Sequence, residues 1–138
     1  MVNLISAIKT KLSGSALYND VGGRVFLDEA DQGAEFPYIV FFIVSGVPEK
    51  TFTEDMENVL LQFSLFSALS AGDAIMTTMY ADLKALFDEC SLSITGSTLI
   101  WMRRQNLTTM VEADITLPDG SNGVRHWAVD YEVFTSLN

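Results

Sequence analysis

The sequence predicts an α+β domain: a mainly antiparallel sheet of four to five strands, with an N-terminal helix and one further helix packed on the sheet. Three observations lead there. Apolar residues in the first segment, and again around Leu83, recur at helical spacing. From His126 to Val133 they alternate strictly, as in a strand with one face in and one out. Turn residues separate most of the strand-like stretches, so hairpins are the expected connection apart from one helical crossover. The chain is expected to form one domain, residues 1–138, without a repeat, a linker or a low-complexity tract.

Residues 3–13 read as a helix, with Leu4, Ile5, Ile8 and Leu12 on one face and Gly14 at its end. A second short turn runs from Ser15 to Val21, where Gly22 and Gly23 favour a left-handed stop. Arg24 to Leu27 is a short strand before an acidic loop. Pro37 biases Phe36 towards an extended backbone, and Tyr38 to Val47 is the first long strand. "PEKTFTEDME", Pro48 to Glu57, is polar and charged and reads as a long hairpin loop. Asn58 to Ser67 follows as a strand in which Leu61, Phe63 and Leu65 alternate with Gln62 and Ser64.

Ser70 and Asp73 fit a capping box for the second major helix. Its apolar stripe runs through Ile75, Met79, Leu83, Leu86 and Cys90, widened by Met76, Tyr80 and Phe87. Asp88 and Glu89 close its last turn, against the helix dipole. Leu92 and Ile94 make a brief extended link to a turn at Gly96. Ser97 to Val111 reads as a long strand carrying Leu99, Trp101 and Leu107, and Pro118 to Gly120 is a turn. The last strand places Trp127, Val129, Tyr131 and Val133 on one face.

Composition narrows the function. Eighteen acids against eight bases give a net charge of −10, which repels phosphate and lacks the basic stripe of a nucleic-acid binder. Solubility accounts for such an excess. The hydrophobic share of 49% is high for so acidic a chain and leaves apolar surface for partner subunits. The single cysteine, Cys90, excludes an internal disulfide and fits a reduced intracellular setting. Lys9 and Lys11 interrupt the first apolar segment, so no signal peptide is expected. The longest uncharged run, residues 58–72, is too short for a membrane-spanning helix.

The densest chemistry is Asp28, Glu29, Asp31 and Glu35. They lack the Asp-x-Asp-x-Asp-Gly spacing of a calcium loop, and Glu35 comes too early to close one. A catalytic carboxylate pair would need an apolar pocket that an open loop does not supply. A solvated loop before a buried strand fits best. His126 is the only histidine, so no two-histidine metal site can form; on the polar face of its strand it is a surface or interface residue. Cys90 faces the apolar side of its helix, where a thiol acts as a small hydrophobe. No nucleophile elbow or phosphate-binding loop occurs, and Gly22-Gly23 is too weak a signal for one. Trp101 and Trp127 read as core or interface. The residues give no support for an enzyme, a metal or a cofactor.

The series "VGGRVF" (Val21 to Phe26), "QGAEFPYIVF" (Gln32 to Phe41), "LQFSLFS" (Leu61 to Ser67), a helix and "RHWAVDYEVF" (Arg125 to Phe134) resembles the tail-completion, or tail-terminator, family of long-tailed bacteriophages. Order and spacing agree across nearly the whole chain, least so from Asn106 to Gly123. The resemblance implies a structural virion protein, made in the host bacterial cytoplasm, that caps the tail tube and joins it to the head. The implied partners are other copies in a ring of six, the tail-tube protein and a head-side stopper protein, with no membrane and no catalysis. Six copies would carry about −60, and a negative lumen lets DNA pass without sticking. Asp28, Glu29, Asp31 and Glu35 are then lumen- or solvent-facing. Phe52, Glu54 and Asp55 in the charged loop, and Phe66 on an otherwise polar strand face, are the expected interface residues. Two other readings stand beside this one: a neighbouring neck protein such as a head-completion stopper, and a small acidic ligand-binding protein or enzyme.

Overall fold

The computed structural model describes residues 2–50, 55–117 and 120–137. Three helices, α1 (Val2–Leu12), α2 (Ala16–Asp20) and α3 (Ala74–Phe87), accompany six strands. These are β1 (Val25–Leu27), β2 (Tyr38–Lys50), β3 (Asp55–Ala68), β4 (Ser93–Ile94), β5 (Ser97–Thr116) and β6 (Asn122–Leu137). They form one sheet in the order β1-β2-β3-β6-β5-β4. The β1–β2 pair is parallel and every other pair antiparallel.

The sheet therefore has one strand more than expected, and it is mixed. The link at Leu92 and Ile94 is a strand, because Ser93 and Ile94 pair with Thr98 and Ser97 around the Gly96 turn. β1 runs beside β2 instead of folding back on it, so residues 28–37 form a crossing and not a hairpin. The charged hairpin loop also shrinks. Pro48, Glu49 and Lys50 are still paired with Glu57, Met56 and Asp55, which extends both strands to residues 50 and 55. A backbone ladder is indifferent to polar side chains where both faces are wet.

One face of the sheet holds the core. Ile39 and Phe41 of β2, Val59, Leu61, Phe63 and Leu65 of β3, and Val129, Tyr131 and Val133 of β6 are all fully buried. Against them lie Leu4, Ala7, Ile8 and Leu12 of α1 and Met76, Met79, Leu83 and Phe87 of α3. The stripe on α3 is thus centred on Met76 and not on Ile75, which is 36% exposed. Phe63 is the hub, its ring 4.8 Å from Phe87, 5.7 Å from Tyr131 and 6.1 Å from Phe41.

The ends of the helices depend on particular atoms. Ser15 caps α2 by accepting from the Tyr18 amide at 3.1 Å, a contact worth about 1 kcal/mol. Gly22 and Gly23 follow with φ of +58° and +78°, where a side chain would be strained. Asp73 stands at the N-terminus of α3 but makes no side-chain cap, so the expected capping box does not form; Ser70 lies in a 3-10 turn, Leu69–Ala71. At the other end of the sheet Gly123 (φ +99°) lets β6 pass Leu69, whose Cδ2 would sit 2.7 Å from an added Cβ.

Length explains what remains exposed. α3 has 14 residues and spans about 21 Å, while the 20 residues of β5 span about 66 Å. The helical layer cannot cover such a strand. Residues 44–50 of β2 and 108–116 of β5 are exposed throughout. Among the described residues no helix is long and apolar enough to cross a membrane.

Candidate interaction surfaces

The acidic loop is built on Arg24. Its Nε donates to the Pro37 carbonyl at 3.0 Å and its Nη2 to the Phe36 carbonyl at 3.4 Å, with Glu35 at 4.0 Å. The backbone closes the same loop from both sides, Asp28 N–H donating to Phe41 O at 2.9 Å and Ile39 N–H to Arg24 O at 3.0 Å. Gly22 leaves room for the guanidinium, whose Nη1 would meet an added Cβ at 2.9 Å. The pieces "VGGRVF" and "QGAEFPYIVF" are thus physically one unit. Asp28, Glu29, Asp31 and Glu35 are all exposed on it, and among the described residues no three His, Cys, Asp or Glu side chains converge as a metal site.

This loop overhangs the face of the sheet that carries no helix. There Phe26, Tyr38, Phe66 and His126 form an aromatic row across β1, β2, β3 and β6. Tyr38 stacks on Phe66 at 4.8 Å and Phe66 on His126 at 4.2 Å. A shallow hollow of about 380 Å³ lies between this row and Asp28 and Glu29. Burial holds the His126 imidazole below the usual histidine range, partly offset by Glu112. Phe66 is half-buried against its own chain, stacked on both Tyr38 and His126. His126, expected on a polar face, lies on a largely aromatic one.

The opposite end of the sheet holds the β2–β3 hairpin. Lys50 and Asp55 face each other at 3.9 Å, both well exposed. Phe52 and Glu54 lie outside the described residues. A hollow of about 330 Å³ beside the hairpin is lined by Asn3, Lys50, Glu57, Thr95 and Leu137 among others. Its polar mixture does not resemble an enclosed ligand cavity.

A third cluster was only half visible in the sequence. Asp88, just past α3, accepts from Arg104 Nη2 at 3.1 Å and from the Tyr131 hydroxyl at 2.5 Å, while Arg104 Nη1 donates to the Tyr80 hydroxyl at 2.9 Å. Arg103 reaches Glu89 at 3.2 Å. The acids that oppose the helix dipole are matched by arginines on β5. Burial, and the bond to Asp88, push the Tyr131 phenol up. Trp101 donates to Glu132 at 2.6 Å under Arg103, and Trp127 packs edge-on to Tyr80. Cys90 is half-buried, its Sγ 3.7 Å from Met102 Sδ, and burial raises its thiol pKa.

Comparison with known proteins gives this arrangement a place. A search of curated protein sequences finds no match. Among solved structures, a chain from the virion of a native gene transfer agent particle superposes with a TM-score of 0.74 and 14% identity, covering 95% of this chain and 92% of that one. A second solved chain gives a TM-score of 0.56 at 15% identity over 95% and 93% of the two chains. At such identity these likenesses establish the fold. The family model described as tail completion protein gp17 matches residues 2–136. The chain belongs to the tail completion protein family, and with it to the structural proteins of phage tails.

Proposed function

We propose that this protein caps the tail tube and joins it to the head as a ring of six copies, seated between the tube protein and a head-side stopper in the virion. The observation that carries this reading is the family match over residues 2–136. The charge supports it: exposed Asp28, Glu29, Asp31 and Glu35 beside the helix-free face would give the ring an acidic lumen that DNA slides through. The likeness to a chain of a gene transfer agent particle fits a virion location. No residue is assigned a catalytic or cofactor-binding role.

The β2–β3 hairpin end is the proposed contact with the tube, through Phe52, Glu54 and Asp55, and the half-buried Phe66 contributes to the contact with a neighbour. Phe52→Ala should leave the melting temperature unchanged and weaken in vitro head–tail joining; a collapsed melt would place Phe52 in the core instead. The deciding experiment is negative-stain imaging of tails completed with purified protein. A ring at the head-proximal end of the tube is expected, whereas density on isolated heads would move the protein to the stopper position. The same electrostatics should keep it off duplex DNA at physiological salt, and micromolar binding by fluorescence anisotropy would contradict the lumen assignment.

A further inference from the structure

The sheet ends in two bare edges. β1 covers β2 only at Ile39 to Phe41 and its neighbouring residues 25–27, and β4 covers β5 only at Ser97 and Thr98. Beyond those points residues 42–50 and 99–116 have no strand on their outer side among the described residues. A row of outward N–H and C=O groups is a template for another strand. The apolar surface concentrates in the same places. Of nine large hydrophobic side chains exposed among the described residues, Val44 and Val47 lie on β2 and Ile100, Met110, Val111 and Ile115 on β5. Six of the nine thus lie on these two edge strands.

Strand direction selects the partner. Each step from β2 through β3 and β6 to β5 is antiparallel, so β2 and β5 run in opposite senses. Rotation about a ring axis along the strands preserves sense, and therefore sets β5 of one copy antiparallel to β2 of the next. Arg103 and Arg104 remain 51% and 37% exposed even with their own acids in place. They share the bare edge of β5 with Glu112 and Asp114, so ring closure, which needs two different edges, and not charge, excludes the self-pair. The bare stretch of β2 carries Glu49 and Lys50, with Glu57 beside Glu49's end of the ladder on β3.

We propose that the outer edge of β5 in one copy pairs antiparallel with the outer edge of β2 in the next, and that this seam closes the ring. The contact is heterologous: two different surfaces meet, as a closed ring of more than two copies requires. It rests on the ring reading above, and it names the surfaces that reading leaves open.

The test uses the full chain with Cys90→Ser, in four further versions: Val44→Cys or Val47→Cys on β2, and Ile100→Cys or Gln105→Cys on β5. Each β2 version is mixed with each β5 version, assembled on purified tail tubes, oxidised and run without reductant. Cross-strand neighbours lie about 4.5–5.5 Å apart at Cα, within disulfide range. At least one mixture should give a covalent dimer that reduction returns to monomer, and no β5 version should cross-link with itself. A chain carrying that pair of cysteines should give a ladder up to the full ring. Normal rings in negative stain with no cross-link in any of the four mixtures would overturn the seam and leave the ring reading intact. β5-to-β5 dimers would overturn it in favour of a two-fold contact. Absence of any ring on the tubes would sink both.

Discussion

Arg24→Ala should cost this protein about 2–3 kcal/mol, and the source of that loss can be assigned in advance. Two kinds of contact hold the acidic crossing. One is the pair of bonds to the carbonyls of Pro37 and Phe36, at 3.0 and 3.4 Å. The other is the ion pair with Glu35, at 4.0 Å and with the Glu35 side chain 85% exposed. A bond from a charged donor contributes about 1.5–3 kcal/mol, and the longer of the two counts for little. An exposed ion pair contributes about 0–1 kcal/mol. The carbonyl bonds therefore dominate. At about 2–4 °C per kcal/mol for a chain of this size, the melt should fall by roughly 4–12 °C. Glu35→Gln should move it by no more than about 4 °C on the same scale. Arg24→Lys keeps the charge but not the planar fork, and should fall in between. Gly22→Ala should mimic the loss, since its Cβ would displace the guanidinium at a φ of +58°. Hydrogen exchange at the Ile39 amide, bonded to Arg24 O, should accelerate in step. An Arg24→Ala melt equal to the parent's, or a Glu35→Gln loss as large as that of Arg24→Ala, would refute the assignment.

Phe63→Ala removes the hub of the aromatic core and should cost about 3–5 kcal/mol by denaturant melts; a loss under about 1 kcal/mol would mean that the core collapses around the gap. Asp20 on α2 shares a hydrogen bond with Asp82 on α3, and burial with that neighbour raises its pKa to about 6. The fold thus favours the protonated form, a stabilisation complete below about pH 4 and lost as pH rises through 6. Asp20→Asn should accordingly gain on the parent by about 1 kcal/mol, discounted for solvent screening, between pH 4 and pH 7. A flat difference across that range would dissolve the pairing. Millimolar calcium should leave the melt unchanged, because the loop acids do not converge; a rise reversed by chelator would contradict this.

What the sequence disclosed follows from where its signals come from. The alternation of β6 and the stripe of α1 are periodic because one face of each is buried in the chain's own core. The two short pieces joined by Arg24 were legible as a family pattern, while their physical link, across 12 and 13 residues of separation, was not. The acids at the end of α3 looked wrong locally, and the partners of Asp88 are 16 and 43 residues away. β1 and β4 have three and two residues, too few for any period, so neither the direction of one nor the existence of the other could be read.

The largest misreading has a different cause. "PEKTFTEDME" reads as loop because it is polar, yet six of its residues are in register between β2 and β3. Polarity reports that side chains meet water; it does not report whether the backbone is paired. In a strand half-covered by helices the two coincide, and alternation marks the strand. Where β2 and β5 outrun the helical layer, both faces are wet and the ladder alone holds the pair, so the signal vanishes although the strand continues. The same stretches leave Val44, Val47, Met110, Val111 and Ile115 at the surface. A strand needing only to reverse direction would stop at the edge of the helices. These continue, at an entropic cost of about 1–2 kcal/mol for each residue ordered, and their apolar side chains find no cover within the described residues of one copy. The compensation for extending β2 and β5 is accordingly to be sought between copies.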